Sequence, residues 1–523
     1  VVAPRGLLAL LFALAFGGAA PWTCVPGVPP PEAVPSGFSL PALHAEPDPV
    51  RGGRIVDALG REVLLRGVNV NAYVEYWAYD AARFTTYPLT PEDADRMAGF
   101  GWNAVRLLLS WSRVEPTPGE VDEAYLDAIE RAVRLLESRG LYSILDLHQD
   151  AWGPTLAARE DEACAGIGEP AFGWDGAPDW ATLDDGAPRC AVGGTRELSP
   201  AVLASFASFF DDRPGPGGVG LRARYVAMLR RLATRFARLD AVAGYDVMNE
   251  PNAFDVFRPG QLRQLADFTA DAVAAIREGE ALVGAPPRLV FFEPSITWAG
   301  FGVGALPPFE HDDQVVYAPH LYQGGLDDLP LDASVFQRAR DEAVLYGGAP
   351  VLSGEWGADP RRAADPDDGY FDRHQALQDE FRFGATLWTW REACGDPHKA
   401  GDVRAGRVPF VWGLFDVDCE VDRVVGLREP LAAALRRPLL RAAPGPIDAV
   451  RWDAEAGRFE ARGEGAARGT SFAVFVPSAS GRPPRVLDRR GLLGVHPVRA
   501  PGGHHFVVGW ARGGDWQLAL DPR

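Results

Sequence analysis

The sequence predicts an α/β fold: a (β/α)8 TIM barrel followed by a C-terminal antiparallel β-sandwich. Three observations carry that expectation. Between residues 52 and 440, eight short apolar runs alternate with amphipathic helical stretches, the pattern of a parallel barrel. Two of those runs end in an exposed glutamate, in Asn249-Glu250-Pro251 and in Ser353-Gly354-Glu355-Trp356. After about residue 440 the helical period disappears, and strand-like runs at 471–476, 506–510 and 516–520 take over. Residues 441–523 are therefore expected to form a small sandwich.

The N-terminus carries Arg5, an apolar run over 6–16, and small residues to Ala20. The run is too short to span a bilayer, and the order of charged, apolar and small residues is that of a secretory signal peptide at 1–22. A secreted protein is the expectation. Proline recurs nine times between residues 21 and 49, so 23–51 reads as a linker. The runs 54–57 and 61–65, joined by Ala58-Leu59-Gly60, read as a hairpin feeding the first barrel strand, Gly67 to Asn71.

The second strand is expected at 102–108. A helix over 121–139 follows, with Tyr125, Ile129, Val133 and Leu136 on one face and Gly140 at its end. The third strand, 141–147, delivers His148-Gln149-Asp150. A long excursion then holds Trp152, Trp174 and Trp180. A helix over 221–238 leads to the fourth strand, 242–247, where Pro251 turns the chain outward after Glu250. A helix over 261–277 precedes the fifth strand at 289–292. The sixth, 315–317, leads to His320-Leu321-Tyr322, and the seventh, 351–352, to Glu355. A helix over 370–381 precedes the eighth strand, which ends at Trp388.

Composition narrows the function. Hydrophobic content of 47% with 24% charge is that of a soluble globular protein. A net charge of −19 opposes nucleic acid as partner, and also electrostatic binding to anionic membranes. Fifteen tryptophans offer flat faces suited to sugar rings. In an exported chain five cysteines imply pairing with one left over. Cys164 with Cys190, and Cys394 with Cys419, bracket two loops and are the expected disulfides. Cys24 remains where a lipid-modified cysteine would sit, but Pro21-Trp22-Thr23 is a poor processing context and lipidation is not favoured.

A barrel gathers its strand ends at one mouth. Two carboxylates delivered there suit glycoside hydrolysis, one as acid/base and one as nucleophile. Glu355 as nucleophile must be ionised, and Arg106 and Tyr322 would keep it so. Glu250 as acid must start protonated, with burial and anionic Glu355 raising its pKa and His320 adjusting it. Asn249 can bond a sugar 2-OH, and Trp388 offers a platform. Glu293, also at a strand end, is assigned a supporting role. The run Pro214 to Gly220 follows no strand and lacks a lysine, so it is a connector and not a phosphate cradle. No metal-ligand spacing and no serine elbow is present, so no cofactor is expected and ester hydrolysis is disfavoured. His504-His505 in the terminal region reads as part of a packed, stabilising unit.

Together, Asn249-Glu250-Pro251, Gly354-Glu355-Trp356, His320-Leu321-Tyr322, Arg106, His148 and Trp388 resemble glycoside hydrolase family 5. Within that family, the stretches 103–107, 146–150, 176–182 and 245–251, with Trp111 and Val114-Glu115-Pro116, are similar to the endoglycoceramidases. The likeness spans about 52–440. It implies a retaining mechanism with Glu250 as acid/base and Glu355 as nucleophile, and a glycolipid substrate cut between glycan and ceramide. It also implies that His148 and Asp150 grip the first sugar, and that contact with a membrane surface is transient, through the substrate. The stretch Val70 to Tyr76 departs from the lysine-bearing segment expected there, which points to a simpler head group such as one hexose. Trp152, Phe172 and Trp174 are read either as a lipid groove or as a hydrophobic plug. The alternatives to this activity are a β-glucanase, a glucosidase for another lipid glycoside such as a steryl glucoside, and a non-catalytic glycan-binding protein.

Overall fold

The computed structural model describes residues 40–327 and 329–523. The signal peptide, Cys24 and most of the expected linker lie outside the described residues. Eight parallel strands form one sheet: Arg66–Tyr73, Ala104–Ser110, Tyr142–His148, Val242–Asp246, Leu289–Phe292, Val315–Tyr317, Leu352–Trp356 and Gly384–Leu387. The eighth strand pairs with the first. A parallel bridge between Tyr317 and Val351 joins the sixth strand to the seventh, so the sheet closes. This is the (β/α)8 barrel that the alternation predicts.

Close strand approach explains part of the sequence. A Cβ on Gly244 would lie 1.9 Å from the Leu289 carbonyl oxygen. Only glycine lets the fourth strand, which carries the first glutamate, lie this near the fifth. The helix expected at 121–139 is Glu123–Glu137, with Asp122 capping the Tyr125 N–H. The helix expected at 261–277 runs on to Leu282.

Two features depart from the expectations. The last part of the expected linker is not extended coil: Leu43–Glu46 is a strand paired antiparallel with Arg54–Asp57. Leu43, Ala45 and Ile55 are buried against Ile144, Leu289, Phe291 and Leu352, and so plug the bottom of the barrel. The alternating apolar residues of Leu43-His44-Ala45-Glu46 carried that signal, obscured by the surrounding prolines. Second, the long excursion contains a helix, Pro200–Phe210, with proline in its first turn.

The C-terminal region holds two four-stranded antiparallel sheets. One contains Leu439–Ala442, Ser471–Val476, His505–Ala511 and Leu492–Arg499, the other Ile447–Asp453, Arg458–Ala466, Gly514–Asp521 and Arg485–Asp488. Phe459, Phe472, Val474, Trp516 and Leu518 fill the space between them. His504 accepts from the Ser478 N–H at 3.1 Å and meets the Phe475 ring edge-on. Both predicted disulfides are present, Cys164–Cys190 and Cys394–Cys419.

Candidate active site

The fourth strand hands the chain to Asn249 and Glu250 at the mouth. Glu250 sits at φ +38°, a costly conformation for a non-glycine residue before proline. It is held there from both sides. Its N–H donates to Glu293 Oε2 at 2.9 Å, and its carbonyl accepts from Gln149 Nε2 at 3.0 Å. Glu355 is part of the seventh strand and is buried. A carboxyl oxygen of Glu250 and one of Glu355 lie within 4.8 Å of each other. Retaining glycosidases hold their carboxyl groups about 5–5.5 Å apart, whereas inverting ones need several ångström more to admit water.

Both oxygens of Glu355 are engaged. Arg106 Nη1 donates to Oε1 at 3.0 Å, and the Tyr322 hydroxyl donates to Oε2 at 2.8 Å. Arg106 is wholly buried and binds much more than one partner. It reaches Asp246 Oδ2, Asp146 Oδ1, Glu293 Oε1 and the amide oxygens of Asn69 and Asn249, all within 3.2 Å. Burial opposes its charge, but the four carboxylates outweigh it and hold its pKa well above the usual value. A buried guanidinium with its fork fully satisfied is a rigid post for the Glu355 carboxyl. Arg106 therefore positions Glu355 from below, the support expected of it from sequence.

His320 is placed in the same supporting way. It is buried behind the two glutamates, with Nδ1 at 2.8 Å from Glu250 Oε1 and 3.6 Å from Glu355 Oε2. Its Nε2 lies 3.2 Å from Glu293 Oε1. Burial would depress its pKa, but Glu293, Glu355 and Glu250 raise it well above the ordinary value. The effect on Glu250 reverses the expectation. Burial would raise its carboxyl, yet the hydrogen bond and charge of His320, aided by Arg196 and His148, leave it below the ordinary value. The proton of this pair thus rests on His320. Glu293 is pushed up to about 8, by burial and by the Asp246 charge, against the pull of His320 and Arg106.

The remaining predicted residues line a pocket of about 310 Å3 above this platform: His148, Asp150, Asn249, Tyr322 and Trp388, with the two glutamates. His148 Nδ1 is 2.7 Å from Asp146 Oδ2, and its ring stacks on Trp388 with centroids 5.6 Å apart. Burial pushes its pKa down to about 4, so at neutral pH it offers the pocket an uncharged ring. Asp150 is tied to Arg196 at 2.7 Å.

Six further residues line the pocket that sequence reasoning did not single out: Arg196, Leu326, Glu392, His398, Lys399 and Trp412. They stand on loops, where no periodicity marks them. Lys399 did carry a signal, for it is the single lysine of the sequence. The lipid-groove alternative for Trp152, Phe172 and Trp174 does not hold. Trp152 is buried edge-on to Trp111, Phe206 and Phe209. Arg196 covers the Trp174 ring, and Arg404 covers Phe172. These residues are the plug.

Among the described residues, three sets have ligand atoms close enough to hold a cation: His148 with Asp150 and Asp175, Glu250 with His320 and Glu355, and Glu392 with Asp396 and His398. In the second and third sets, ion pairs within the group or with Arg106 and Lys399 already compensate much of the charge.

A family model described as "Cellulase (glycosyl hydrolase family 5)" matches residues 56–393. The chain is 30% identical to endoglycoceramidase I of Rhodococcus hoagii (strain 103S) over 284 residues, 52% of each protein. It thus spans about half the length of that curated relative. Among solved structures, endogalactoceramidase is 37% identical, with a TM-score of 0.79, over 92% of this chain and 99% of that one. Endo-glycoceramidase II from Rhodococcus sp., in its complex with ganglioside GM3, is 25% identical with a TM-score of 0.69, over 90% of this chain and 99% of that one.

Proposed function

The chain belongs to glycosyl hydrolase family 5, and from that premise we propose that it is a retaining β-glycosidase cutting the bond between sugar and lipid in glycosphingolipids. The observation that carries the chemistry is the approach of Glu250 to Glu355 within 4.8 Å, with both Glu355 oxygens held by donors. In the first step a Glu355 oxygen attacks the anomeric carbon, and the bond to the lipid oxygen breaks. The proton stored on His320 passes to Glu250 Oε1, 2.8 Å away, and from Glu250 on to the leaving oxygen, which leaves both groups of the pair without it. In the second step Glu250 takes a proton from water and hands it back to His320, while the water oxygen displaces Glu355 and restores the starting configuration. Arg106 and Tyr322 supply donors to Glu355 throughout, fixed before substrate arrives.

Two observations support a lipid as the leaving group. The relatives act, by their names, on glycosylceramides. The loops after the fourth, fifth and sixth strands also expose Val256, Phe257, Phe301, Val303, Leu326 and Leu329 on the mouth side of the barrel, and Leu326 lines the pocket itself. Apolar residues on such a rim suit an acyl-chain substrate presented at a membrane or micelle surface. Two disulfides fit export to an oxidising compartment. The test is product analysis by mass spectrometry on detergent-dispersed glucosylceramide, galactosylceramide, a longer ganglioside and a soluble β-glucan. Free ceramide beside an intact glycan is the expected result. Cleavage of the glucan alone would overturn the lipid assignment.

A further inference from the structure

Lys399 is the one lysine of the sequence, and every other residue among its 52 basic ones is arginine. It is buried, and its Nζ lies 2.8 Å from Oε2 of Glu392, also buried. Elsewhere this protein builds its buried ion pairs with arginine: Arg61 with Asp57, Arg66 and Arg437 with Asp379, and Arg106 with its four carboxylates. Arginine suits that work, because its planar fork locks two oxygens at once. A lysine departs from the rule at one place, and that place opens into the sugar pocket.

The pair is only half used by the protein. Glu392 Oε2 accepts from Lys399 and from the Trp412 N–H at 2.6 Å. Among the described residues Oε1 has no partner. Lys399 has three N–H donors and spends one on Glu392. Two donors and an acceptor are therefore left side by side in a cavity that also holds Glu250, Glu355 and Trp388. The scaffold behind them is firm. Both residues follow Trp388: Lys399 lies inside the loop closed by Cys394–Cys419 and Glu392 two residues before it, and the Gly395 N–H pins the segment to the Phe84 carbonyl at 2.9 Å.

We propose that Glu392 and Lys399 form the subsite that reads the hydroxyls of an uncharged hexose on the glycan side of the cleaved bond. A carboxylate beside an ammonium matches two adjacent sugar hydroxyls, one donating to Glu392 Oε1 and one accepting from Lys399. The compact ammonium matters, because its rotatable donors can serve a carboxylate and a sugar together, which a guanidinium fork cannot do in the same space. The two charges cancel each other, and Glu250, Glu355 and Asp150 are close by. The subsite therefore selects a neutral sugar over one bearing a carboxylate or sulfate at this position. This inference rests on the reading of the pocket as a glycan site.

The experiment compares wild type, Lys399→Met, Lys399→Arg and Glu392→Gln on aryl β-glucoside and β-galactoside and on their 3-, 4- and 6-deoxy analogues. Binding of the same hexosides to Glu355→Gln, with and without Lys399→Met, is read by tryptophan fluorescence. With wild type, one deoxy position is expected to lower kcat/KM roughly tenfold to a hundredfold. Lys399→Met should lose a similar factor on the parent sugar and nothing further on that deoxy analogue. Melting temperatures should stay close to wild type for Lys399→Arg, which keeps the ion pair, while its activity falls. Equal losses on every substrate, or full activity in Lys399→Arg, would overturn the inference. If no aryl glycoside is hydrolysed but hexoside binding depends on Lys399, the glycosidase reading fails and this subsite stands. If binding ignores Lys399, the subsite is wrong.

Discussion

His320 Nδ1 stands 2.8 Å from Glu250 Oε1, and the same ring reaches Glu293 Oε1 with its other nitrogen at 3.2 Å. One proton is thereby stored behind Glu250, whose carboxyl is itself held below the ordinary value. In the proposed mechanism the acid of the first step is the histidine–glutamate pair acting as a unit.

From that arrangement, Glu250→Gln and Glu355→Gln should fail differently. Removing the nucleophile stops the first step for every substrate, with a loss above the hundredfold to thousandfold typical of one stabilising donor. Removing the acid costs roughly 10²–10⁴ on natural leaving groups, and far less on an aryl glycoside whose leaving group needs no proton. Steady-state kinetics on both substrate types separates them. Equal losses for Glu250→Gln on both would contradict the acid assignment.

Glu293→Gln tests the proton store. Glu293 is pushed up to about 8, burial being the largest cause, and its negative form supports the charge on His320. Without it the pair binds its proton less tightly. The alkaline limb of the kcat/KM profile should then move to lower pH by about one unit or more, equivalent to ~1.4 kcal/mol of lost interaction. A uniform loss at all pH values would reduce Glu293 to a packing role.

Glu62, at the junction of barrel and sandwich, accepts from the Ile447 N–H at 2.9 Å and is pushed up to about 7 by burial. A carboxyl raised in the folded state binds its proton more tightly there than in the unfolded chain. Its contribution is complete below the ordinary value near 4.5 and is lost as pH rises through about 7. The loss is of order 3 kcal/mol at most. Glu62→Gln should flatten the fall in stability between pH 5 and 8, read by denaturant titration at several pH values. An unchanged slope would show that Glu62 does not titrate in that window.

The Cys394–Cys419 disulfide closes a loop with a sequence separation of 25. Opening it with paired serine substitutions should cost about 3 kcal/mol of stability by the loop-entropy relation. Because Lys399 lies inside this loop and Glu392 two residues before it, KM should rise more than kcat falls. An unchanged KM would detach the loop from substrate binding.

The barrel was legible because buried parallel strands and amphipathic helices write two different periods into the chain, and Gly140 marks a helix end. Glu250 and Glu355 were legible because strand ends in a barrel converge, so Pro251 and Gly354 locate them without any coordinates. Where charge sits was not legible. The direction of the Glu250 shift depends on a histidine 70 residues away in sequence, on its distance and on burial. Arg106 and His320 were legible as supports of the two glutamates, but the carboxylates of Asp146 and Asp246 gathered around Arg106 were not, since those partners come from other strand ends. The strand Leu43–Glu46 was hidden by its proline-rich flanks.

The central claim is that Glu355 becomes covalently joined to the sugar. A 2-deoxy-2-fluoro-β-glycosyl fluoride forms such an adduct quickly and releases it slowly, because the fluorine destabilises both transition states while the fluoride remains a good leaving group. Intact-mass analysis followed by peptide mapping should show one added fluorosugar, on the peptide containing Glu355. An adduct on the Glu250 peptide, or none while substrate is hydrolysed to the inverted anomer, would contradict the account.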